Sequence, residues 1–275
     1  MSNATKKSPT SSEATRVMGA ICWNELHTSD PKRASEFYAK VVGWSPKACG
    51  PAEGSNYTEW ETASGKRHGG MMAVESGAAA PPHWAVYMNV ADVDATAAKA
   101  VKLGGRIVSA PKDCDHVGRL CTIADPTGAE FRVIAGKGDC GARAPQDEPG
   151  SFCWAEILTN DVDATKRFYC DLLGWTSNTM PMPKGDYTLL WAAGADPSKK
   201  LGCVGGLMKI LPEMGPMRPC WLSYIMVQDV DAAAKRATAN GGRVCCPPTD
   251  IPNVGRFAVV LDPQNAVFAL FTSKS

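Results

Sequence analysis

Residues 20–27 are β-rich and roughly alternate apolar with polar side chains, the two-residue period of a strand with one buried face. The period then changes. Ala34, Phe37, Tyr38, Val41 and Val42 recur at spacings of three and four, which predicts an amphipathic helix. Ser29 or Asp30 can cap it, Pro31 suits its first turn and Gly43 ends it. Short strands follow over 57–62 and 70–75. A second strand over 84–90 leads to a helix over 93–103, capped by Asp92 and stopped by Gly104-Gly105, and two more strands end at Ile134.

The same order returns in the second half. Cys22-Trp23-Asn24-Glu25-Leu26 reappears as Cys153-Trp154-Ala155-Glu156-Ile157, Phe37-Tyr38 as Phe168-Tyr169, and Gly43-Trp44 as Gly174-Trp175. Tyr57-Thr58 matches Tyr187-Thr188, and Gly69-Gly70 matches Gly205-Gly206. Asp92-Val93-Asp94 matches Asp229-Val230-Asp231, Val117-Gly118-Arg119 matches Val254-Gly255-Arg256, and Asp125-Pro126 matches Asp262-Pro263. A self-similarity that keeps its order along the chain is a tandem duplication. We divide the chain into a polar tail (1–17), a first domain (18–136), a linker rich in Gly, Pro and charge (137–149) and a second domain (150–273). The fold class is α+β, with four βαβββ modules, two to each domain.

Composition narrows the function. The net charge of +1 creates no long-range field to recruit nucleic acid or an anionic membrane. No apolar run is long enough to span a bilayer, and the first residues lack the apolar core of a secretory signal. The eleven cysteines are odd in number and form no C-x-x-C pair, which fits reduced thiols in a cytoplasmic protein. The expected partner is a small molecule, and the expected assembly a monomer or homodimer. G-x-S-x-G, P-loop and dinucleotide-binding patterns are missing.

The strand and the F-Y-x-x-x-(V/L)-G-W helix end, the D-V-D-A helix and the closing D-P strand of each half resemble the vicinal oxygen chelate superfamily, over about residues 18–273. That superfamily includes glyoxalases, bleomycin-resistance proteins and extradiol dioxygenases. The C-W-x-E strand, the G-G-M-M or G-G-L-M strand and the V-G-R motif are most similar to two-domain glyoxalase-like members. The resemblance implies a curved sheet around a cup in each half, and a divalent metal held by His or Glu from four strands. Those four positions fall on Trp23, Gly70, Ala85 and Arg132 in the first half, and on Trp154, Gly206, Ser223 and Ala269 in the second. None is a usual ligand. Of the four histidines, His27, His68, His83 and His116, none lies in the second half. We therefore expect no metal and no other cofactor; a rearranged site using His83 and Glu25 is the alternative. His27, His68 and His116 are expected at the surface or at loop ends.

Alternation along the first strand puts Trp23 and Glu25 on one face, and likewise Trp154 and Glu156. If that face is the cup, each cup holds a carboxylate, with Arg119 or Arg256 as its expected counter-ion. Trp23, Tyr57, Trp60 and Tyr87 are the expected wall of one cup, and Trp154, Tyr187, Trp191 and Tyr224 of the other. Trp44 and Trp175 are assigned to the core, and the Asp92 and Asp229 regions to helix capping. The expected function is metal-independent binding of an aromatic or amphipathic metabolite or antibiotic. The alternatives are a glyoxalase-like lyase or isomerase, in which Glu25 or Glu156 is the general base and an arginine steadies an oxyanion, a metal-dependent enzyme with rearranged ligands, and a purely structural or interaction role.

Overall fold

Each half begins with a strand that turns directly into a capped helix. In the first half these are β1 (Ile21–Thr28) and α1 (Pro31–Val42), where the Asp30 carboxylate accepts the Arg33 amide and Gly43 closes the helix at φ 82°. Then come β2 (Ser45–Ala48), β3 (Tyr57–Glu61), β4 (Arg67–Ala73), β5 (His83–Asn89), α2 (Val93–Lys102), β6 (Arg106–Cys114), β7 (Gly118–Ala124) and β8 (Glu130–Gly136). The second half repeats the series as β9 (Phe152–Thr159), α3 (Val162–Leu173), β10 (Thr176–Met180), β11 (Tyr187–Asp196), β12 (Leu201–Lys209), β13 (Cys220–Met226), α4 (Val230–Ala239), β14 (Arg243–Ile251), β15 (Gly255–Leu261) and β16 (Val267–Ser273). This computed structural model describes residues 17–48, 57–74, 80–115, 117–137, 148–182, 184–196 and 201–274. The polar tail, most of the linker and His116 lie outside the described residues.

Strand β2 has no counterpart among the predicted elements. All four of its residues are exposed, so no buried alternation marks it. Each half forms one eight-stranded mixed sheet, ordered β2-β3-β4-β1-β5-β8-β7-β6 and β10-β11-β12-β9-β13-β16-β15-β14. The first strand of each half thus sits near the middle, flanked by the third and fourth strands after its helix.

The two halves share their cores. Helix α1 packs on α4, and α2 on α3. One buried cluster joins Phe37, Tyr38, Trp44, Trp60 and Trp84 to Ile225, Val230, Ala234 and Phe268; the other joins Met88, Ile123 and Phe131 to Phe168, Tyr169, Trp175 and Trp221. Polar ties cross the same boundary. Trp84 Nε1 donates to the Tyr38 hydroxyl (2.8 Å), which donates to Asp262 Oδ2 (3.2 Å). Trp44 Nε1 donates to the Gly150 carbonyl at 2.7 Å, and Trp175 Nε1 to that of Gly19 at 3.1 Å. Tyr38→Phe strands a buried indole N–H and a buried carboxylate oxygen, and should lower the unfolding free energy by about 1–3 kcal/mol in urea titrations. An unchanged midpoint would show that this tie contributes nothing.

Candidate functional site

Trp23, Glu25 and His27 alternate along β1 onto the sheet face turned away from the helices, where Trp23 packs with Ala85, Tyr87 and Leu120. Neighbouring strands bring the rest. Glu25 lies opposite Gly70 on β4 and Ala85 on β5, Trp23 opposite Tyr87, and Tyr87 opposite Arg132 on β8. A single carboxylate oxygen, Glu25 Oε1, collects three partners: His27 Nε2 at 2.8 Å, the Tyr87 hydroxyl at 2.6 Å and Arg132 Nη1 at 2.7 Å. Arg132 Nη1 also donates to the Tyr87 hydroxyl, and its guanidinium lies 5.2 Å from the centre of that ring. Trp23 Nε1 donates to the Tyr57 hydroxyl at 2.9 Å. Tyr57 crosses over Gly70, where a Cβ would overlap its hydroxyl, so glycine is needed there.

Burial by itself would raise the Glu25 pKa, but the His27 hydrogen bond, the Arg132 charge and Tyr87 outweigh it, and the carboxyl stays charged below the usual carboxylate range. Burial, and then the Glu25 charge, push Tyr87 well above the normal phenol range. His83 stacks on His27 with ring centroids 4.8 Å apart, and its Nδ1 pairs with the Pro81 carbonyl. Burial lowers the His83 pKa to about 4, which keeps this ring neutral at physiological pH. Beside the network opens a cleft of about 380 Å³, bounded by His27 and Arg132 with Met72, Val74, Lys112 and Leu120.

Several sequence expectations need correction. Arg119 does not reach Glu25: its Nε binds Asp94 at 2.5 Å and its Nη1 binds Asp113 at 3.2 Å on the surface. Arg256 likewise pairs with Asp231 (2.7 Å) and Asp250 (2.8 Å). In each half the arginine faces its aspartate across one antiparallel strand pair, so the nearest acids claim it. The cation on Glu25 is Arg132. Trp60 is not a cup wall either. It stands three residues from Tyr57, on the opposite face of the strand, and stacks on Trp44 at 5.3 Å inside the core. Trp191 is buried, with its indole N–H unpartnered among the described residues. His27 and His68 are buried rather than exposed. The overlooked site residue is His27; Arg132 was named at a ligand position but not as the cation on Glu25. For His27 the missed signal was its parity with Trp23 and Glu25.

The second cup keeps the aromatic part of this arrangement and loses the charges. The Tyr187 hydroxyl donates to Glu156 Oε2 (2.7 Å), the Tyr224 hydroxyl to Oε1 (3.3 Å), and Trp154 Nε1 to the Tyr187 hydroxyl (3.0 Å). Leu158 faces Cys220 where His27 faces His83, and Ala269 faces Tyr224 where Arg132 faces Tyr87. With no cation to offset burial, the Glu156 pKa is raised despite its two tyrosine donors. A raised folded-state pKa costs no stability below about 4.5, the unfolded value, and destabilises increasingly as pH rises through the folded pKa. Glu156→Gln, which can accept from Tyr187 and donate to Tyr224, should therefore be more stable than wild type at pH 8 and equal to it near pH 4. Urea midpoints across this range test the sign; a variant destabilised at pH 8 would show that Glu156 is held as a charged group.

The superfamily's metal does not fit these residues. At the four strand positions stand an indole, a glycine, a methyl group and a guanidinium, and the cation Arg132 already sits on the Glu25 carboxylate. The alternative pair, His83 with Glu25, has His83 Nδ1 on a carbonyl and Glu25 Oε1 taken by three partners. Among the described residues no group of three or more His, Cys, Asp and Glu side chains is arranged to hold a metal ion. No helix among them is long and apolar enough to cross a membrane.

Comparison with known proteins agrees with the fold. Residues 20–134 match the glyoxalase-like domain family, and residues 151–270 match the glyoxalase/bleomycin resistance protein/dioxygenase superfamily. The chain is 35% identical to "Putative glyoxylase CFP32" of Mycobacterium bovis, over 92% of this chain and 94% of that one. It is 30% identical to the anthracycline biosynthesis protein DnrV of Streptomyces peucetius, over 92% of each. Among solved structures it resembles the Mn(II)-bound glyoxalase of Novosphingobium aromaticivorans (TM-score 0.60, 15% identity, 93% of this chain and 82% of that one). It also resembles the 2,2',3-trihydroxybiphenyl 1,2-dioxygenase of Sphingomonas wittichii (TM-score 0.62, 12% identity, 93% and 91%). At such identities the two structures share the fold alone.

Proposed function

The chain belongs to the glyoxalase/bleomycin resistance protein/dioxygenase superfamily, and from that premise we propose that it binds a small molecule without a metal ion, in the cup of its first half. The carrying observation is Arg132. Its guanidinium, on Glu25 at 2.7 Å, brings a fixed positive charge to a strand position where the family's metal enzymes place a ligand. The open cleft beside it supplies a binding volume of ordinary ligand size. The rings expected as walls, Trp23, Tyr57 and Tyr87, stand on the same sheet face but do not line that cleft, and Trp23 and Tyr87 spend their polar edges on Tyr57 and Glu25. Met72, Val74 and Leu120 beside Arg132 and Lys112 suit an amphipathic ligand. The name of the Streptomyces peucetius relative places that protein in anthracycline biosynthesis, which is in keeping with a small-molecule ligand. No disulfide joins the described cysteines, in keeping with a reducing cytoplasm.

Thermal-shift titration of chelator-treated protein with a panel of aromatic acids and amides tests this. Stabilisation by a panel member should be the same with and without EDTA. Stabilisation that requires one equivalent of manganese, iron, nickel or zinc would overturn the reading.

One observation favours a second reading, an isomerase or lyase. His27 Nε2 lies 2.8 Å from Glu25 and its ring borders the cleft, a carboxylate-held imidazole of the kind that moves protons. On that reading His27→Gln abolishes turnover while ligand still binds.

A further inference from the structure

Arg132 uses one nitrogen twice and leaves another unused. Its Nη1 serves Glu25 and the Tyr87 hydroxyl, while its Nε is buried and unpartnered among the described residues. An arginine presents Nε and Nη2 along one edge, spaced to grip both oxygens of a carboxylate. In this protein that edge is not the one Glu25 occupies. Lys112, opposite Leu120 on the neighbouring strand pair, adds a second cation to the cleft, and Thr122, opposite Arg132, adds a hydroxyl. Met72, Val74 and Leu120 make the rest of the cleft apolar.

The charges also limit the ligand. Glu25 already sits on Arg132 at 2.7 Å, so Lys112 is the added cation that an anion meets at the cleft. We propose, resting on the binding function above, that the first cup takes an amphipathic anion. Its carboxylate or equivalent oxyanion lies on Arg132 and Lys112, and its apolar ring or chain lies on Met72, Val74 and Leu120. The second cup has alanine where Arg132 stands and valine where Thr122 stands, and so offers no such seat.

The test uses the full chain and two probes of one shape, 2-naphthoate and the uncharged 2-naphthamide. Binding is followed by calorimetry and by methyl NMR of protein labelled at its methionines, with Met72 as the reporter in the cleft. The naphthoate should bind at least about tenfold more tightly than the amide. Arg132→Lys keeps a cation for Glu25 but removes the two-nitrogen edge, and should cut that preference to below about threefold. Lys112→Met should weaken the naphthoate by about three- to tenfold and flatten its salt dependence. Thermal melts confirm that both variants fold.

Equal affinity for the two probes, with Met72 shifting for both, would refute the anionic head and leave the metal-free cup standing. A naphthoate preference that survives Arg132→Lys or leaves Met72 unmoved would place the anion elsewhere and refute the proposal. If neither probe shifts Met72 at millimolar concentration, the binding function fails along with it.

Discussion

Trp60→Ala is expected to lower the unfolding free energy by about 3–5 kcal/mol, while the folded variant binds ligand as well as wild type. Trp60 is fully buried and stacks on Trp44, with Tyr38 5.7 Å away, in a cluster to which both halves contribute. Truncation to alanine removes the indole and leaves a cavity that strands and helices from two domains would have to collapse to fill. Rigid backbone on every side makes that collapse incomplete, so the loss should sit at the upper part of the range. Urea denaturation gives the stability, and titration of the folded protein gives the affinity. A loss below about 1 kcal/mol together with weakened binding would return Trp60 to the wall of the cup.

Glu25→Gln should cost about 3 kcal/mol at pH 7, because it leaves the Arg132 guanidinium without its counter-ion. The figure belongs at the low end for a broken buried pair, since the Arg132 side chain is 16% exposed and water reaches part of it. The pH dependence identifies the cause. A folded-state pKa held below 4.5 contributes stability that is fully present above pH 4.5 and disappears as pH falls through the folded pKa. Wild type and Glu25→Gln should therefore converge as pH falls below 4.5, with the difference constant above it. Glu156→Gln should part from wild type only above pH 4.5, and in the opposite direction. Differences that open in the same window and with the same sign for both variants would mean that the cups do not differ in charge state.

The duplication, the first helix start at Ser29 or Asp30, and the change from period two to period three to four were all visible in the residues, because each is a local pattern. The module count followed from them. Strand parity likewise placed Trp23 and Glu25 on one face, and Tyr57 and Tyr87 join them there. Parity was applied less strictly elsewhere. It would have sent Trp60 to the core with its neighbour Thr58, and brought His27 into the site. Arg132 was placed by the resemblance at the fourth ligand position, but its pairing with Glu25 was missed for a different reason. It lies 107 residues from Glu25, and meets it only because β5 pairs in parallel with β8 while β1 pairs antiparallel with β5. No local pattern announces that pairing. Arg119 looked suitable because it opens a strand of the same sheet, but Asp94 and Asp113 stand closer.

The two cups have separated in chemistry while the cores beneath them have stayed matched. Had the halves been identical copies held together only by contact, every substitution that discharged one cup would have discharged its twin. A covalent tandem removes that obligation. One copy can trade its histidines and arginine for leucine, cysteine and alanine while the other keeps them, and the shared interior still holds both in register. Symmetry, once given up in the chain, was free to be given up in the site.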